Sequence, residues 1–306
     1  MERSRRGAAL MAVLWLIAIL SMATMAALRV ISFDMELSSA KIHGSHARQI
    51  AEMGIAVGCN PAVKRADPIL RQIHEDTGVG FEVKLLSEGG RFNINALILQ
   101  QDKPLLTSIF CHWGLDVQDA QSVVDCLCDW VDADDDTGLN GAEKKDYEKD
   151  GRINQPFNRP FYEINEMRLV SGMDLVEAAY PGWRDWFTVW SSGPLDLNEA
   201  SAELIAVAAD CPVERASLIP ETVRGADGER DTMDDIPFSS AEAALDLLGI
   251  DLKVRTDLAR RFTVNDTATR IESTGFSAGA KRKITVIIKN RTGKPALLER
   301  TEEIIP

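Results

Sequence analysis

Apolar residues run without a charge from Ala8 to Leu28, behind a short leader, Glu2, Arg3, Arg5 and Arg6, that closes on Gly7. No Pro or Gly interrupts the run. At about 1.5 Å per helical residue it reaches about 30 Å, the thickness of a bilayer's hydrocarbon core. Past Arg29 the period stays helical but the pattern turns amphipathic. Val30, Ile31, Met35, Ile42, Ala47, Ile50, Ala51 and Ile55 recur at three- and four-residue steps. Gly58-Cys59-Asn60-Pro61 is the first firm stop. The pattern predicts one long helix whose first half lies in a membrane and whose second half leaves it. The arginines hold the leader on the cytoplasmic side, so the rest of the chain crosses outward.

The period then changes. Residues 59 to about 80 read as a short connection and a polar helix. Phe81 to Leu86 alternates, Ser87-Glu88-Gly89-Gly90 turns, and Arg91 to Asn95 alternates again, which predicts a hairpin with a four-residue loop. Asn95 is placed to cap a helix starting at Ala96. From 96 to 258 the periodicity is helical. Strands return at Arg261–Val264, Arg270–Thr274, Lys283–Lys289 and Ala296–Thr301. Strands before and after a helical block predict an α+β fold. In the simplest arrangement an antiparallel sheet packs on the amphipathic half of the first helix, and the helical block is inserted between its strands. That block divides near Ser191-Ser192-Gly193-Pro194, giving parts at 96–190 and 191–258 between sheet-forming stretches at 29–95 and 259–306. Asn93-Ile94-Asn95-Ala96 and Asp196-Leu197-Asn198-Glu199-Ala200 look alike, and both fit an extended piece, an Asn cap and a helix. Trp183, Trp186, Phe187 and Trp190 are expected in the core.

One stretch stands out chemically: Trp130-Val131-Asp132-Ala133-Asp134-Asp135-Asp136, then Gly138, Asn140, Gly141 and Glu143. Hard cations such as Ca²⁺ take about six to eight oxygens, and alternating carboxylates on a turning loop supply them. With Asp132 as position one, Asp134, Asp136, Asn140 and Glu143 fall at three, five, nine and twelve, the spacing of EF-hand ligands. The glycine falls at seven rather than six, and no apolar exit helix follows, so the loop is not an EF-hand. Asp135, Asp146 and Asp150 are lesser candidates. Without a cation the same loop would be a solvated acidic segment, its carboxylates repelling one another.

Charge and composition narrow the functions. Formal net charge is −13, and loss of residues 1–7, with three Arg and one Glu, takes it to −15. Such an acidic chain argues against nucleic acid as a partner, since phosphate binding needs clustered Lys and Arg. The start of a helix-hairpin-helix motif at Leu195–Leu204 lacks its glycine-bearing turn. Walker, H-E-x-x-H, G-x-S-x-G and dinucleotide-binding glycine patterns do not occur, and the four histidines do not cluster with a nucleophile. An enzyme is therefore not expected. His43 and His46 fall on the long helix and are expected as exposed residues. Five cysteines, Cys59, Cys111, Cys126, Cys128 and Cys211, are too few for a disulfide scaffold. One bridge, from Cys111 to Cys126 or Cys128, and buried free thiols are both open readings.

The leader admits three readings: a cleaved secretory signal cut at Thr24-Met25-Ala26, a plain membrane anchor, and a leader removed at Gly7. The third resembles the class III signal of type IV pilins and type II secretion pseudopilins, in which the cut follows the glycine and the apolar helix stays. That resemblance implies processing between Gly7 and Ala8 by a prepilin peptidase. Such pilins carry Glu at the fifth mature position, where this chain has Ala12. Type II secretion K proteins, which are minor pseudopilins, also lack it. They share further stretches: Gly90-Arg91-Phe92-Asn93-Ile94-Asn95-Ala96-Leu97, Trp130 to Asp134, Gly141-Ala142-Glu143, Asn158-Arg159-Pro160, and Glu166 through Met173.

The chain thus resembles the type II secretion system protein K family. The resemblance implies a pilin-like long helix on an antiparallel sheet, an inserted all-α domain of two similar parts, and calcium in the insert. It also implies an inner-membrane protein with its bulk in the periplasm. There it would cap a pseudopilus with the I and J minor pseudopilins above the major pseudopilin, without catalysis. A membrane-anchored calcium binder outside any fibre is the alternative.

Overall fold

Helix α1 runs unbroken from Glu2 to Cys59 in this computed structural model, which describes residues 2–305, with side chains for residue 11 and residues 13–305. Gly7, Ala8 and Ala12, on which the processing and assembly readings rest, lie outside the described side chains. From Val13 the helix holds a stretch long and apolar enough to cross a membrane, and none of that stretch is buried in the protein. Burial begins only at Gly44, and then at Ala47, Ile50, Ala51, Gly54 and Gly58, a single stripe at helical spacing.

That stripe lies on a five-stranded antiparallel sheet of order β1-β2-β7-β8-β9. The strands are β1 (Arg71–Ile73), β2 (Gly80–Ser87), β7 (Ala268–Ser277), β8 (Ala280–Lys289) and β9 (Ala296–Ile305). β2 pairs with β7 in the register Val83↔Ser273 and Leu85↔Ile271, so strands far apart in sequence meet at the centre. Ile50 and Ala51 of α1 pack with Phe81, Val83, Leu85, Ile271, Ile284, Val286 and Ile288 in one core. The approach is close: a Cβ at Gly275 would stand 2.1 Å from the Ala47 carbonyl oxygen. Arg291, in the β8–β9 turn, closes the helix end. Its Nε donates to Gly58 O, a carbonyl that the terminating helix leaves open, and its Nη2 to Asn60 O and Val63 O in the turn beyond, all at 2.6–2.7 Å.

The insert holds β3 (Phe92–Asn93), α2 (Ile94–Leu99), α3 (Lys103–His112), α4 (Val117–Val131), α5 (Lys144–Lys149), α6 (Met173–Ala179) and β4 (Phe187–Thr188). A second half follows with β5 (Leu195–Asp196), α7 (Ala202–Ala209), α8 (Val213–Ala216), α9 (Leu218–Val223), α10 (Ala241–Leu247) and β6 (Phe262–Thr263). It is not wholly helical. Each half is closed by a two-residue parallel ladder, β3 with β4 and β5 with β6. Both closing strands read Phe-Thr-Val, at 187–189 and 262–264. In each half one Asn clamps a distant Phe main chain. Asn95 exchanges two hydrogen bonds with Phe161, and Asn198 does the same with Phe238.

Four expectations change here. No hairpin joins 81–86 to 91–95. Residues Glu88–Gly90 form a tight turn in which buried Glu88 accepts from Arg270 of β7 and from Thr188 of β4, and this sends the chain out of the sheet into the insert. The stretch 59–80 forms no polar helix but a short 3₁₀ turn, Pro68–Leu70, and edge strand β1. Arg261–Val264 leaves the main sheet for the ladder with β5. Asn95 is not the cap: Asn93 accepts from Ala96 N, and in the second half Ser201 accepts from Leu204 N, which frees Asn95 and Asn198 to clamp. Trp183, Trp186 and Phe187 are buried as expected, and Trp190 is partly so, donating to Glu299 of β9. All five cysteines are free thiols.

Candidate metal centre

Helix α4 begins where Asp116 accepts from Asp119 N and ends at Asp132. Asp125, Asp129 and Asp132 fall four and three apart, on one face. Trp130 points the other way and is fully buried, stacked on Phe161 at 6.5 Å, with edge contacts to Tyr147 and Phe157 at 5.5 and 5.1 Å. Its indole N–H donates to Glu166. The tryptophan thus fixes the helix end while its neighbours emerge from the core as carboxylates. The carbonyl end of a helix carries partial negative charge, so this is a poor place for Asp129 and Asp132 unless a cation joins them.

The loop after α4 folds back over Asp129. Gly138 N donates to Asp129 Oδ2 at 2.9 Å. A Cβ at Gly141 would meet that same oxygen at 1.9 Å, and one at Gly138 would meet Oδ1 at 2.8 Å, so both glycines are needed for the carboxylate to lie under the loop. Asn140 is held by Asp125, which accepts from its main-chain and side-chain N–H groups at 3.3 Å, while Lys103 pairs with the other Asp125 oxygen. Glu143 then arrives as the first residue before α5, with Asp146 Oδ2 accepting from its N–H.

One oxygen each from Asp129, Asp132 and Glu143 lies within 4.8 Å of the other two. Glu143 is only 2% exposed, and its carboxylate faces only the main-chain N–H groups that open α5, with no side-chain donor, while buried Oδ1 of Asp132 lacks a hydrogen-bond partner. Among the described residues no Lys or Arg forms an ion pair with these three. Burial, followed by the charges of Asp129 and Asp132, pushes Glu143 up to about 7. Asp129 is raised by burial, against the Gly138 N–H, and Asp132 by burial and then by Asp134. Buried carboxylates of this kind, without a cationic partner, are costly by themselves and fit a hard, oxygen-preferring cation. Asp129, Asp132 and Glu143 would hold it, and a resident cation would supply the positive charge that the protein does not.

Of the sequence-derived candidates, Asp132 and Glu143 enter this cluster. Asp134, Asp135 and Asp136 are exposed at the loop's crest. There Asp134 Oδ1 accepts from Asp136 N, and Asp135 Oδ1 accepts from Asn158. Asn140 faces Asp125, Asp146 pairs with Lys149, and Asp150 ends α5. Asp129 was missed because it precedes the acidic run. The clue was its place one helical turn before Asp132. Asn158 was missed as well. Its Nδ2 donates to Asp134 O and Asp135, and its buried Oδ1 has no partner.

The second half has its own acidic loop at 225–235, closed differently. Asp234 accepts from Ala226 N, Asp227 N and Thr232 Oγ1, and Asp235 accepts from Asp231 N. Arg65 reaches Glu199 and Asp231, and Arg230 also pairs with Glu199. Here arginines stand beside the loop, while Oδ1 of Asp231 and of Asp235 are buried without a hydrogen-bond partner.

With this geometry established, comparison with known proteins places the insert. Residues 90–190, which hold β3 through β4 and the carboxylate cluster, match the family model for type II secretion system (T2SS), protein K. This stretch is similar to the protein K family. A type II secretion system protein K of Pseudomonas aeruginosa strain PAO1 is 29% identical over 164 residues, 50% of this chain and 47% of that relative. The chain thus spans about half the length of that relative. A chain of Escherichia coli strain K12 named for the same secretion-system protein is 24% identical over 221 residues, 65% of this chain and 66% of the relative. Among solved structures, the crystal structure of the GspK-GspI-GspJ complex from enterotoxigenic Escherichia coli shares the fold. Its TM-score is 0.59 at 16% identity, over 90% of this chain and 99% of that one. The α+β architecture, with a long N-terminal helix on an antiparallel sheet, is therefore a fold the chain shares with that structure. The type II secretion pseudopilin family is not a family of enzymes.

Proposed function

We propose that this chain is a minor pseudopilin of a type II protein secretion system, anchored by α1 in the inner membrane with the remainder in the periplasm. The observation that carries this reading is the match of residues 90–190 to the protein K family model, in a stretch set into a sheet that rides on one long helix with an exposed apolar half. A structural neighbour belongs to a three-chain complex, which supports I- and J-type minor pseudopilins as partners. Ala12 at the fifth position after Gly7 leaves no carboxylate to meet the amino terminus of a subunit above, which suits a cap on the pseudopilus and nothing beyond it. The role is structural: the chain carries no catalytic step.

Processing follows from the same reading. A prepilin peptidase removes residues 1–7, leaving Ala8 first, and α1 then packs among the helices of neighbouring subunits, the major pseudopilin included. Intact mass of the protein taken from membranes tests this directly. Loss of Met1–Gly7 only when the peptidase is present is expected; an intact leader under both conditions refutes it. Ala12→Glu is expected to damage placement at the tip, and unchanged recovery in isolated tip complexes would count against the cap.

Calcium is proposed for the cluster of Asp129, Asp132 and Glu143, supported by the close approach of the three carboxylates and the unpartnered buried oxygen of Asp132. Binding there links the cation to folding of the loop. Chelation is expected to speed amide exchange and proteolysis at 129–143. Equal protection of 129–143 with and without calcium overturns the assignment.

A further inference from the structure

Strand β9 is the last strand of the sheet and the longest open edge in it. It pairs only with β8, and its ten residues extend about 33 Å. The other edge strand, β1, has three residues. Among the described residues nothing outside β8 bonds to the main chain of 296–305. A register shift at Ile287/Ile288 disturbs the start of the pairing, which leaves Glu299 to Ile305 as a regular stretch with a row of free N–H and C=O groups.

Proteins commonly blunt such an edge with charge. On β9 most of that charge is already committed within the molecule. Arg300 bonds to Glu52 of α1, Glu302 to Arg48 of α1 at 2.9 Å, and Glu299 to the indole N–H of Trp190. These ties fasten the strand to the helix and the insert. Glu303 is left with no ion pair among the described residues, and Ile304 beside it is 73% exposed. The ligand chemistry of the edge follows: an extended backbone, a cation for Glu303 and an apolar side chain for Ile304.

We infer that the edge of β9 from Glu299 to Ile305 receives an extended segment of a neighbouring protein, one with Lys or Arg opposite Glu303 and an aliphatic residue beside Ile304. The attachment is strand addition, in which main-chain hydrogen bonds give affinity and alternate side chains give specificity. A second copy of this chain is the wrong partner. Antiparallel self-pairing about Thr301 sets Glu299 against Glu303 twice, like charges directly opposed, while the Arg300 and Glu302 that it also sets opposite each other are already bonded to Glu52 and Arg48 of α1. The chain's net charge of −13 adds to that repulsion. This inference does not rest on the metal site or on the pseudopilus reading.

The test uses the full chain in detergent and, as probe, a fluorescent ten-residue peptide of alternating Lys and Val, capped at both ends. Binding is read by anisotropy, and its location by amide exchange. Binding with slowed exchange confined to 299–305 is expected. The same peptide N-methylated at alternate residues, which keeps its charge but loses the donors along one edge, should bind at least tenfold more weakly. Glu303→Lys, an exposed change that leaves the fold intact by circular dichroism, should weaken the unmodified peptide about threefold, the size of one cross-strand charge pair. Equal binding of the N-methylated peptide would mean non-specific charge attraction and overturn the proposal. So would protection elsewhere in the chain, or no binding at millimolar peptide.

Discussion

Replacing Glu143 by Gln separates a metal ligand from an ordinary buried carboxylate, because the two predict opposite signs. In the folded chain Glu143 sits near 7 rather than 4.5, chiefly through burial and then through Asp129 and Asp132. Between those values the folded chain holds a proton there that the unfolded chain has released, so metal-free stability falls as pH rises across this window. At about 1.4 kcal/mol per pH unit the gap corresponds to about 3 kcal/mol. Partly exposed Asp132 opens the site to water, so ionised Glu143 costs the metal-free fold about 1–3 kcal/mol. At pH 7.5 in chelator, Glu143→Gln should therefore be more stable than the natural chain, its melting transition rising by about 2–8 °C. In calcium the sign reverses. The variant has lost a ligand, its affinity should fall at least tenfold, about 1.4 kcal/mol, and its calcium-dependent gain in melting temperature should shrink. Thermal unfolding followed by tryptophan fluorescence, with and without calcium, reads both effects. A variant destabilised equally in chelator and in calcium would refute the reasoning, as would a natural chain whose melting ignores calcium.

Three further outcomes follow from the geometry. Gly141→Ala drives a Cβ to within 1.9 Å of Asp129 Oδ2, so the carboxylate must swing away or the loop must lift by more than an ångström; calcium affinity measured by calorimetry should fall at least tenfold while the melting of the sheet is unchanged. Arg291→Ala removes three hydrogen bonds from the end of α1 and the turn beyond it and should cost about 2 kcal/mol, with faster amide exchange at 56–63 as the local readout. Buried Asp196 is pushed up to about 6 by desolvation, although Asp266 N and Asn198 N donate to it. Its folded value is raised, so the stability it contributes is present at low pH and lost as pH climbs from about 4 to 6. Asp196→Asn should flatten the melting temperature across that window, and an unchanged slope would exclude Asp196 as its source.

Much of the architecture was legible in order of residues alone. Helix α1 was, because Ala8–Leu28 is apolar on all sides and the stripe through Ala47, Ile50 and Ala51 keeps helical spacing; local period is a property of the chain itself. The late strands β7, β8 and β9 were also, by their alternation. The acidic run after Trp130 marked a loop that the fold closes over buried carboxylates, because closely spaced carboxylates repel one another.

What only the tertiary structure decided is which groups meet. Ser87–Gly90 has the residues of a hairpin turn, but Glu88 bonds to Arg270 and Thr188, residues about 100 and 180 positions away, and those bonds turn the chain into the insert. Asn93 rather than Asn95 caps α2, because Asn95 is claimed by the main chain of Phe161. In the carboxylate cluster, spacing favoured Asp134 and Asp136, which the fold leaves in solvent. It chose Asp129 instead, because Gly138 and Gly141 let the loop close directly over that carboxylate. Period and composition are set by neighbours along the chain, whereas a ligand set or a clamp depends on distances between residues that only packing brings together.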